Sequence, residues 1–84
     1  MKTLALQKIR ERADFLLGKI KHRAIQYNKG EISFEEFLDY KEDYKAQFIG
    51  YVRAFWDIEV LTYEERDRII NKFSLDILEL KKEI

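Results

Sequence analysis

The sequence predicts an all-α protein: a three-helix antiparallel bundle, or an elongated three-helix arrangement completed by dimerisation. Three observations carry this reading. Apolar residues recur at helical spacing along three long segments. Two connections, twenty-nine residues apart, carry the same helix-starting signature, Ile32-Ser33-Phe34-Glu35-Glu36 and Leu61-Thr62-Tyr63-Glu64-Glu65. The runs of apolar–polar alternation that a β-rich fold needs are missing.

Helix 1 is expected over about residues 3–28. At about 100° per residue, Leu6, Ile9, Ala13, Leu16, Leu17, Ile20, Ala24 and Tyr27 share one broad stripe, its core face. Gly30, in Tyr27-Asn28-Lys29-Gly30-Glu31, is fit to close the helix with a left-handed residue. Helix 2, about 34–57, follows a capping box: Ser33 accepts from the backbone N–H of Glu36, and Glu36 reaches back to that of Ser33. Ile32 can then staple onto Phe37. The helix gathers Phe34, Phe37, Tyr44, Phe48, Tyr51, Val52 and Phe55, with Leu38, Ile49 and Trp56 along one flank.

The break between helices 2 and 3, near Asp57-Ile58-Glu59-Val60-Leu61, has neither glycine nor proline; loss of period and the Thr62 cap define it. Helix 3, about 63–82, carries the stripe Ile69, Ile70, Phe73, Ile77, Leu80 and Ile84. Phe48, Phe55, Ile70, Phe73 and Ile77 are expected to be buried with Leu16 and Ile20. The likeness of the two capping segments ends after one turn, where Phe37 corresponds to Arg66, so it reads as capping chemistry used twice and not as a repeat array.

At 84 residues the chain is read as one helical domain, residues 1–84, near the lower size limit for a self-sufficient core. Its twelve aromatics, six Phe, five Tyr and one Trp, supply much of the buriable area. Cysteine is absent, so a disulfide framework and thiolate ligands are both excluded. Charge interrupts the N-terminal stretch before a signal-peptide core can form, and no apolar run approaches the roughly 20 residues of a membrane span. The expected compartment is the cytoplasm.

Net charge is zero, yet the charges are segregated. Residues 1–30 hold eight Lys/Arg against Glu11 and Asp14, or +6, and residues 31–84 hold eight against fourteen Asp/Glu, or −6. Helix 1 is therefore expected either to lie against the acidic flanks of the other helices or to turn a basic face outward.

No catalytic, metal or cofactor constellation is expected. Gly30 to Phe37 matches the exit half of an EF-hand loop, but Ile25, Tyr27 and Lys29 fall at the liganding positions and offer no carboxylate. Glu35, Asp39, Glu42 and Asp43 cluster on helix 2 without a histidine and read as a solvated acidic face. His22, the one histidine, has no triad or metal partners in its spacing. The string Gly30-Glu31-Ile32-Ser33 with Glu36-Phe37 resembles the helical hairpin of SHOCT domains over about a third of the chain, through generic capping residues. That resemblance implies an interaction module and no enzyme.

Two surface features remain. Leu4, Phe15, Gly18, His22 and Ile25 fall within a sector of about 80° opposite the core stripe of helix 1, beside a basic row of Lys8, Arg12, Lys19 and Arg23. Helices apolar on two sides have neighbours on two sides, so Phe15, Gly18, His22 and Ile25 are expected to meet a protein partner, most simply a second copy in a homodimer. Ala46, Gly50 and Ala54 form a small-residue ridge on helix 2, a second candidate interface. The expected function is that of a non-enzymatic helical protein-binding module. By compositional analogy it fits an accessory, adaptor or inhibitor protein of a bacterial phage or mobile element. The alternative is a nucleic-acid-binding protein that tracks phosphates with the basic face of helix 1, against which stands the lack of a helix-turn-helix pair.

Overall fold

The computed structural model describes residues 2–83, and the side chains of residues 2–80. Three helices, α1 (Lys2–Asn28), α2 (Phe34–Asp57) and α3 (Tyr63–Glu83), run up, down and up as a three-helix bundle, with no strand among the described residues. The molecule measures 43 × 20 × 17 Å. A 27-residue helix at 1.5 Å per residue is about 40 Å long, so α1 alone accounts for the long dimension.

Side-chain pairs fix the register. Arg12 lies over the Tyr51 ring and Arg23 over that of Tyr40, so facing residues of α1 and α2 have numbers that total 63, as antiparallel neighbours must. The Lys2 ammonium meets the Glu65 carboxylate at 3.0 Å, which sets α3 parallel to α1 with an offset of 63. At mid-height the Phe48 and Phe73 rings stack with centroids 4.1 Å apart. Leu16, Ile20, Val52 and Ile77 complete the buried cluster around them.

Phe55 and Ile70, expected inside, are half-buried at its edge. Leu6, Tyr27, Phe34 and Trp56, all placed on core stripes or their flanks by spacing, are exposed, and Ala5 is buried instead. Each exposed residue lies near a helix end or at the border of the apolar arc. Ile84 lies outside the described residues.

The two connections are built to one plan. Gly30 has φ +76°, its N–H donates to the Tyr27 carbonyl, and the Glu31 N–H donates to that of Gln26. Twenty-nine residues on, Glu59 has φ +62°, its N–H donates to the Trp56 carbonyl, and the Val60 N–H donates to that of Phe55. Both are Schellman closures, with one left-handed residue just past the helix. An apolar residue follows, Ile32 or Leu61, turned toward the core; Leu61 is buried. A capping box opens the next helix. In the first, Ser33 N–H donates to Glu36 Oε1 and Glu36 N–H to Ser33 Oγ, both at 3.1 Å. In the second, Thr62 N–H donates to Glu65 Oε1 at 2.9 Å and Glu65 N–H to Thr62 Oγ1 at 3.1 Å.

Candidate partner-binding face

The outer face of α1 is left bare by the other two helices. Phe15 is 56% exposed and Ile25 38% exposed, with Gly18 and His22 exposed between them and Leu4 exposed a few turns away. No heavy atom lies within 4 Å of where a Cβ on Gly18 would sit, so the helix surface is open at the middle of this patch. Phe15, Gly18, His22 and Ile25 thus share one continuous face. Helical periodicity puts them there: they are spaced by three or four residues and lie opposite Leu16, Ile20 and Ala24, whose burial orients the helix.

The basic row divides into two pairs. Arg12 rests over Tyr51 at 4.8 Å and Arg23 over Tyr40 at 3.8 Å, so both guanidiniums lie on the rings of α2. Arg23 also donates to Gln26 Oε1 at 3.0 Å. Its pKa is pushed further up, chiefly by a hydrogen bond with the Tyr44 hydroxyl that outweighs the cost of its burial. Lys8 and Lys19 are exposed, with the Lys19 ammonium 5.2 Å from the centre of the Phe15 ring. The basic helix therefore meets its acidic neighbours partly through tyrosine faces, which attract cations by their quadrupole, and through the Lys2–Glu65 pair.

Charge around the patch is mixed at its Phe15 end, where Glu11 lines one hollow with Lys8, Arg12 and Phe15, and positive toward Ile25. Between Phe15 and Lys29 the chain carries Lys19, Lys21, Arg23 and Lys29 and no Asp or Glu. The surface combines an aromatic anchor, an aliphatic residue on the same face and several lysines.

Ala46, Gly50 and Ala54 are exposed on α2, and a Cβ on Gly50 would meet nothing within 4 Å, so this ridge faces open space. Among the described residues no group of three or more His, Cys, Asp or Glu is placed to hold a metal ion, and no helix is long and apolar enough to cross a membrane.

Two surface features escaped the periodicity argument. Leu75 and Leu78 stand exposed on the outside of α3, and their spacing of three, off the Ile69–Ile77 stripe, is the trace they leave in the sequence. At the α2–α3 corner the Arg66 guanidinium lies 4.5 Å from the Trp56 ring centre and 4.3 Å from that of Tyr63. It donates to Asp67 Oδ1 at 3.2 Å. This stack needs the turn between the helices, which spacing alone does not supply.

No family model, curated protein or solved structure matches the chain. In the SHOCT-like string the structure shows the capping chemistry of the Ser33–Glu36 box.

Proposed function

We propose that this protein is a non-enzymatic binding module that acts by seating the outer face of α1 on a larger protein. The supporting observation is Phe15, a large aromatic more than half exposed in the middle of a helix, on one face with Ile25 and with the Lys19 ammonium over its ring. Aromatic anchors ringed by polar residues dominate interface energetics. Lys19, Lys21 and Lys29 favour an acidic partner surface. An accessory, adaptor or inhibitor role, of the kind found in phages and mobile elements, fits a small chain whose activity is occupancy.

Nucleic-acid binding is the second reading. It loses ground because Arg12 and Arg23 are held on α2 and Lys19 lies over the Phe15 ring.

The test is affinity capture from cells that encode the protein, comparing the wild type with Phe15→Glu and Ile25→Glu. Both positions are exposed, so the variants are expected to keep the wild-type circular dichroism. A protein partner retained by the wild type and lost by both variants is the expected result. Capture that is insensitive to both, or that disappears on nuclease treatment, would refute it.

A further inference from the structure

We infer that the seam between α1 and α3 is a docking surface for a second copy of this chain, running antiparallel across a twofold axis. The seam is a groove floored by Ile9, Phe48 and Phe73. Its rims are charged. On α1 stand Arg10 and then Asp14, one turn later; on α3 stand Lys72 and then Asp76.

The two helices are parallel, and their offset of 63 residues, set by Lys2 on Glu65, brings Arg10 within one residue of the height of Lys72 and Asp14 within one residue of that of Asp76. Both rims therefore read positive then negative, in the same direction and at nearly the same height. Each pair is also an (i, i+4) pair within its own helix, and Lys72 does meet Asp76 at 3.1 Å. That local pairing explains neither the matched polarity nor the matched height.

Two twofold arrangements can close such a groove on a copy of itself. If the axis runs along the helices, α1 faces the copy's α3 in parallel. Arg10 then opposes the partner's Lys72, and Asp14 opposes the partner's Asp76. Every rim contact is repulsive. If the axis runs across the helices, each helix faces its own counterpart in antiparallel sense. Arg10 then opposes the partner's Asp14, and Lys72 opposes the partner's Asp76, so all four rim contacts are attractive. Charge complementarity thus selects a copy of the chain as occupant and the antiparallel arrangement as its pose. The outer face of α1, with Phe15 and Ile25, stays clear of this contact.

Reversal of single charges and their exchange tests the arrangement. Sedimentation equilibrium from micromolar to millimolar concentration is expected to show a wild-type dimer. Arg10→Glu and Asp14→Arg should each weaken it by about tenfold or more, since each turns two attractive contacts into repulsive ones. The exchange of both, Arg10→Glu with Asp14→Arg, re-forms two opposite-charge contacts and should bring dimerisation back to within about threefold of wild type. Phe15→Glu should leave it unchanged. The positions are exposed, and circular dichroism checks that each variant is folded. A wild type monomeric throughout overturns the inference, as does a dimer indifferent to either reversal. Failure of the exchanged variant to recover overturns it too, and so does a dimer dissolved by Phe15→Glu.

Discussion

Glu59 sits where a glycine belongs, and its replacement should make the protein more stable. The two helix connections are superimposable in design, yet one places Gly30 at its left-handed position, φ +76°, and the other places Glu59 there, at φ +62°. An L-residue in that region costs about 1–2 kcal/mol from Cβ crowding. Glycine avoids the strain but surrenders about 0.4–1 kcal/mol through the larger freedom of its unfolded chain. The difference leaves Glu59→Gly about 0.5–1 kcal/mol more stable, a rise of about 2–8 °C in melting temperature for a domain of this size. Gly30→Ala, the mirror experiment, should lose a similar amount. No heavy atom lies within 4 Å of a Cβ placed on Gly30, so the loss would be conformational and not a clash. Glu59→Ala is the control: it removes a carboxylate from the negative end of the α2 dipole but keeps the Cβ, so it should gain only a few tenths of a kcal/mol. Thermal and urea melts followed by circular dichroism measure all three. Glu59→Gly with no gain, or with a gain matched by Glu59→Ala, would refute the strain argument.

Phe48→Ala and Phe73→Ala should each cost about 3–5 kcal/mol, against a total of about 4–13 kcal/mol for 84 residues. In a double-mutant cycle the pair should couple by about 0.5–1.5 kcal/mol because the rings stack; a cost below about 1 kcal/mol in urea melts of either single variant would contradict the core described here. The Glu65 carboxyl is lowered from 4.5 to about 2, first by the hydrogen bond from the Thr62 N–H and then by the Lys2 ammonium. A depressed folded-state pKa means its stabilisation is complete above about 4.5 and is lost as pH falls toward about 2. The melting difference between wild type and Glu65→Gln should therefore shrink across that window, and a difference constant with pH would refute the assignment.

The fold class was legible because three independent local signals agree: the stripes, the caps at Ser33 and Thr62, and the left-handed exit at Gly30. The second exit was not, since Glu59 adopts its φ under pressure from the surrounding turn and not from its own preference. Leu61 read as part of a break, yet it is buried in the core cluster, where the turn and not the period of either helix carries it. On the candidate face, periodicity located Phe15, Gly18, His22 and Ile25 on one side of α1. It could not divide the basic row, because whether an arginine lies on a ring depends on the register between helices, as with Arg12 on Tyr51 and Arg23 on Tyr40. Ala5 and Leu6 exchanged roles for a related reason: near a helix end, a shift of one residue decides which side chain the neighbouring helix covers.

The Arg66 stack gives the molecule a built-in optical reporter. Trp56 is the single tryptophan of the chain, and its ring carries the guanidinium that also spans Tyr63 at the start of α3. Parting α2 from α3 takes that cation off the ring, which changes the indole emission whether or not either helix unwinds. Ellipticity, by contrast, follows the helices themselves. The two signals thus watch different events in one unlabelled chain, the docking of a corner and the winding of the backbone, and their superposition in a single transition is the signature of a domain that opens all at once.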